Sequence, residues 1–127
     1  MRALLAATLI VLLLIGSWMI FFTYSEQNLQ EYVNDIEETI LPLVENETWK
    51  EAYQQMEQLN KDWHQYKKAA LFFLDTETIN EIDYSLAKAI KYVKARDISN
   101  SSGELNAMVE QLTFLSSNDK ISWQNIF

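Results

Sequence analysis

The strongest constraint on this chain is its opening. Residues 3–22 form an apolar run of 20, interrupted only by Thr8, Gly16 and Ser17. As an α-helix such a run is about 30 Å long, the thickness of a bilayer's hydrocarbon core. It must be a membrane span, a secretory signal or a buried core helix, and each outcome puts the rest of the chain in a different place.

The end of the run separates these readings. The apolar core of a cleaved signal is usually about 7–15 residues long and precedes a small-x-small cleavage site. Here the run closes with Trp18, Met19, Ile20, Phe21 and Phe22, with Tyr24 just beyond. Bulky rings suit signal peptidase poorly and suit the membrane–water interface well. The chain has no cysteine, which excludes lipoprotein processing as well as thiolate and redox chemistry. The residues therefore predict an uncleaved signal anchor over residues 1–24, with a cleaved signal peptide as the main competitor. Arg2 precedes the run and Glu26 follows it. The positive-inside rule then puts the N-terminus in the cytoplasm and the remainder outside the cell membrane. An anchor of this kind leaves no transmitter domain inside, so any inward signal would pass through a membrane partner.

The part beyond the anchor holds all 18 acidic residues and nine of the ten basic ones, in a chain of formal net charge −8. That argues against nucleic acid, which needs a basic surface, and against a domain lying flat on anionic lipid.

Two glycines and one proline are few breakers for 127 residues. They predict long helices and exclude a turn-rich β-sandwich. Apolar spacing agrees. Leu29, Val33, Ile36, Ile40 and Leu43 form one seam. Trp49, Met56, Trp63 and Ala70 form a second, interleaved with Ala52 or Tyr53, Leu59, Tyr66 and Phe73. Ile79, Ile82, Leu86, Ala89 or Ile90, and Val93 form a third, and Leu105, Met108, Leu112 and Leu115 a fourth. The fold class is all-α: an N-terminal transmembrane helix, then an antiparallel bundle of three to four helices over residues 25–117. Pro42 is expected to bend or end the first helix. Thr48–Glu51 has the form of a capping box, Asp75 or Thr76 can cap the third helix, and Ser102 the fourth after a loop over residues 99–104. Residues 118–127 read as a short irregular tail that packs on the bundle or docks a partner.

No constellation assembles into a catalytic site. His64 is the single histidine; it has no G-x-S-x-G elbow and no Glu-x-x-His partner pair, and it reads as a polar-face or half-buried residue. The acidic groups Glu37–Glu38, Glu45–Glu47 and Asp75, Glu77, Glu81, Asp83 lack the D-x-D-x-D-G calcium loop and read as solvated faces. Trp49, Tyr53, Trp63 and Tyr66 can be an aromatic ligand cleft, although their 3-4-7 spacing suits a core stripe. At the end of the chain, Trp123, Ile126 and Phe127 are unusually apolar for a terminus. They either fold back on the bundle or dock a partner. Gly16–Ser17 is a small-residue spot at which another membrane helix can approach closely.

One resemblance covers essentially the whole chain. An N-terminal anchor precedes W-x-x-A (Trp49, Ala52) and a Trp two turns on (Trp63). F-x-D-x-E (Phe73, Asp75, Glu77), "IDYSLAKAIKYVKARD" and a terminal "NIF" follow. In order and spacing this resembles domain-of-unknown-function family 4363, small membrane-anchored proteins of spore-forming Firmicutes. Where that pattern often has a His after the Asp, this chain has Thr76, which puts any ion or proton role for that position in doubt. The resemblance implies a membrane partner and supplies no catalytic residues or cofactor. The expected function is therefore non-enzymatic: a single-pass extracytoplasmic helical protein that binds or stabilises another membrane protein. The alternative is a small-ligand sensor using the aromatic cleft.

Overall fold

The computed structural model describes the backbone of residues 1–126 and the side chains of residues 1–117. The fold is all-α, as the apolar spacing predicts. Four helices follow in order among the described residues: α1 (Arg2–Glu45), α2 (Trp49–Ala70), α3 (Thr76–Lys94) and α4 (Ile98–Ile126). Their connections are three, five and three residues long, which makes consecutive helices antiparallel neighbours. Each packs on the next, and α4 packs back on α1 to close the ring.

The core is built from the predicted seams. Met56, Leu59, Trp63, Tyr66 and Ala70 come from α2; Ile79, Ile82, Leu86, Ala89 and Val93 from α3; Leu105, Met108, Leu112 and Leu115 from α4. All are at most 3% exposed. On α1 the buried set is Leu29, Tyr32, Ile36, Ile40 and Val44, while Val33 and Leu43 are only half-buried. Three successive steps of four would drift about 40° each around a regular α-helix. The chain absorbs that drift in a π-helical stretch, Asp35–Ile40, closed by Leu41 N–H donating to the Ile36 carbonyl. Pro42 follows immediately. It has no N–H to give, and its ring crowds the carbonyl four residues back, so a widened turn suits it. Pro42 therefore does not end the helix, which runs on to Glu45.

The helix ends differ from expectation for one reason. Glu47 and Arg96 both take left-handed backbone, with φ 56° and 57°. After α1, Thr48 N–H reaches the Leu43 carbonyl (2.8 Å) and Glu47 N–H that of Val44 (3.0 Å); after α3, Asp97 reaches Tyr92 (2.9 Å) and Arg96 reaches Val93 (3.0 Å). These are Schellman closures made without glycine. Thr48 then starts α2 with no side-chain cap bond, so the expected capping box does not form. Asp75 does cap α3, accepting from Glu77 N–H. The expected loop at 99–104 is helix. Asp97 begins α4 instead, its carboxylate accepting from the backbone and side-chain amides of Asn100. Ser102 lies inside the helix with its hydroxyl buried and unbonded among the described residues. Helical backbone also continues through residues 118–126, so the tail is not irregular.

Residues 2–17 stand clear of the bundle, all exposed except the half-buried Gly16, and Trp18 just beyond them is half-buried. The most apolar window has mean hydropathy 2.6 and is 6% buried, so the core-helix reading does not hold. By length and composition this helix can cross a membrane. Phe21, 7% exposed, is the first residue of the core, and the helix passes into the bundle without a break.

Candidate functional site

The most specific side-chain arrangement lies where the free helix enters the bundle. Phe21 stacks on Phe73 from the α2–α3 turn, with ring centroids 4.4 Å apart. One turn further along α1, Ser25 is fully buried, and its Oγ lies 2.6 Å from the phenol oxygen of Tyr66. Tyr32 sits edge-on to Tyr66 (5.9 Å) and Trp63 (6.4 Å), and these two rings pack on each other at 5.6 Å. α1 and α2 thus meet through rings arranged as aromatic pairs prefer.

The polar edges of these rings are satisfied. Trp63 Nε1 donates to Asp83 Oδ1 at 2.6 Å, tying α2 to α3, and Lys67 Nζ lies 2.5 Å from Asp83 Oδ2. Tyr32 Oη donates to the Asp62 backbone carbonyl at 3.1 Å. Burial, more than the nearby Tyr24 and Asp62, pushes the Tyr32 phenol well above its ordinary range. A phenol so held keeps its proton. It fixes the packing of α1 on α2 and is no acid or base for chemistry near neutrality.

The structure divides the aromatic set proposed as a cleft. Trp63 and Tyr66 are 1% and 0% exposed, inside the core. Trp49 and Tyr53, half-buried at the opposite end of α2, line a shallow groove of about 220 Å³ with Lys50, Val93, Lys94 and Arg96. The four do not line one cavity. His64 is exposed on α2, and Glu37, Glu38, Glu45, Glu47, Asp75, Glu77 and Glu81 are exposed too. Among the described residues no three His, Asp or Glu side chains converge as metal ligands would. Gly16 lies on the free helix with open space around it, and Ser17 beside it is exposed. The side chains of Trp123, Ile126 and Phe127 lie outside the described residues.

Sequence reasoning missed Ser25, and it read Asp83 with its acidic neighbours as a solvated face, whereas Asp83 is half-buried between Trp63 and Lys67. In both cases only the partner helix shows what the polar side chain binds. It also put Phe73 in the α2 seam. The helix ends at Ala70, and Phe73 reaches Phe21 from the turn.

The bundle coincides with a family boundary. A model described as a domain of unknown function (DUF4363) matches residues 19–126. The chain belongs to the DUF4363 family. The matched segment opens two residues before Phe21, so the DUF4363 unit is the bundle and most of the free helix precedes it. No curated protein and no solved structure matches the chain.

Proposed function

We propose that this DUF4363 protein is a non-enzymatic, single-pass membrane protein whose bundle sits on the extracytoplasmic face and binds or stabilises another integral membrane protein. One observation carries the reading: residues 2–17 of the apolar helix project beyond the bundle, yet the helix is continuous with one of its four walls. About 24 Å of exposed Leu-, Ile- and Val-rich helix far exceeds the apolar patches that soluble monomers leave in water. Continuity also weighs against a cleaved signal. A cut near residue 22 would fall inside a helix that has already begun to supply the core with Phe21 and goes on to supply Ser25, Leu29 and Tyr32. Arg2 inside and Glu26 outside set the orientation.

The candidate partner contacts are the Gly16–Ser17 spot on the span and, from the sequence alone, the C-terminal residues Trp123, Ile126 and Phe127. A sensor role finds less support, because the groove at Trp49 and Tyr53 is smaller than the roughly 300–1,000 Å³ of usual ligand sites. The test is in-cell crosslinking in the native host, comparing the full chain with one truncated after Asn118. Capture of one membrane protein by the full chain, lost on truncation, is the expected result. Equal capture by both would remove the tail from the interface, and no specific capture by either would overturn the adaptor reading.

A further inference from the structure

The turn between α2 and α3 has the wrong composition for a solvent loop. Turns between bundle helices are ordinarily polar, whereas this one reads Leu71, Phe72, Phe73, Leu74 before Asp75. Phe72 is 85% exposed, Leu71 42% and Phe73 44%. Leu74 turns inward to pack on the core, and Phe73 lays one face on Phe21 while the other stays exposed.

Its position gives the composition a meaning. Because Phe73 stacks on Phe21, the turn lies at the height on α1 where the free apolar helix ends. The other two turns, at Asn46–Thr48 and at residues 95–97, are at the far end of the bundle and carry Glu47, Arg96 and Asp97. The apolar turn is therefore continuous with the surface of the span.

We propose that residues 71–73 enter the outer interface of the same bilayer that α1 crosses, making a second lipid contact. This rests on the anchored reading above. With about 30 Å of hydrocarbon spanned by residues 2–20, Phe21 and its stacked partner fall at the headgroup–acyl boundary, where aromatic rings settle. Phe72 then reaches past Phe73 into the layer about 5–10 Å deep that interfacial segments occupy. Lys67 and Lys68 close α2 on the headgroup side, and Asp75 and Glu77 follow as α3 leaves the surface. One helix alone leaves the bundle free to rotate about its span. A second contact fixes which face of the bundle looks along the membrane.

The chain has no native cysteine, so single nitroxide labels report position directly. Full-length Leu12→Cys, Phe72→Cys and Ser99→Cys would be reconstituted in phosphatidylcholine vesicles at high dilution. Collisional access of each label to oxygen and to a water-soluble nickel chelate would then be measured. Phe72 is a surface residue, and circular dichroism checks that each variant folds. The expected result is an oxygen-to-nickel ratio several-fold higher at 72 than at 99, with 12 higher still. A ratio at 72 equal to that at 99, with 12 in the bilayer, would overturn the lipid contact and leave the anchor standing. Dipolar broadening at 72 without oxygen preference would assign the patch to a second copy and equally overturn it. If 12 itself matched 99, the anchored reading would fall, and this inference with it.

Discussion

Replacing Trp63 with alanine is the sharpest test of the packing described here. The indole is 1% exposed and packs against Tyr32 and Tyr66. Truncating a fully buried Trp costs about 3–5 kcal/mol, through lost transfer free energy and the cavity left behind. The lost Nε1 bond adds less, because Asp83 is partly exposed and keeps its ion pair with Lys67. A domain of this size has about 5–15 kcal/mol of total stability, so Trp63→Ala removes a large share without necessarily unfolding it. At roughly 4 °C per kcal/mol, Tm should fall by about 12–20 °C. Thermal unfolding of the full-length protein in detergent, followed by ellipticity at 222 nm, reads this. Trp63→Phe, which restores most of the ring volume, should recover more than half of the loss. A drop under about 4 °C for Trp63→Ala, with the protein fully soluble, would mean the ring is not in the core, and the α1–α2 interface drawn from it would be wrong.

Other substitutions test separate parts of the account. Tyr66→Phe should cost about 1–2 kcal/mol by breaking the buried bond to Ser25, and Ser25→Ala with Tyr66→Phe should cost less than the two single changes summed; strict additivity would show that the pair is not coupled. Gly103→Ala should raise stability by about 0.5–1 kcal/mol, since Gly103 is inside α4 with nothing within 4 Å of a new Cβ; a loss would show that the position is not regular helix. The Asp35 carboxyl is raised above its ordinary value by burial first, then by Glu31 and Asp62. The folded state thus holds that proton to higher pH than the unfolded chain does, and the associated stability is present in acid and lost as pH rises. Asp35→Asn should therefore raise Tm at pH 7 and give no gain once the pH is below the usual carboxylate range; an equal gain at both would assign the effect to something other than charge.

The core was legible in the sequence because a helix repeats its face every 3.6 residues. That is why positions such as Met56, Trp63 and Ala70, or Ile79, Ile82 and Leu86, could be assigned from spacing alone. On α1 the spacing misled: beyond the π stretch before Pro42 it is Val44 and not Leu43 that is buried, and upstream of that stretch Tyr32 rather than Val33 faces the core. Helix ends were harder to read, because glycine is their usual mark and this chain closes α1 with Glu47 and α3 with Arg96. The candidate site was the least legible part. Ser25 with Tyr66, and Trp63 with Asp83, are pairs far apart in sequence that local spacing does not connect. Phe73 read as the last member of the α2 seam, whereas it lies in the apolar turn beyond the helix and stacks on Phe21.

In the proposed arrangement one unbroken helix is both membrane anchor and bundle wall. Alkaline carbonate extraction of native-host membranes, followed by the intact mass of the purified protein, decides between that and a cleaved signal. A chain that stays in the membrane pellet with a full-length mass, residues 1–24 included, is expected. A soluble mature protein beginning near residue 22 would overturn the proposal.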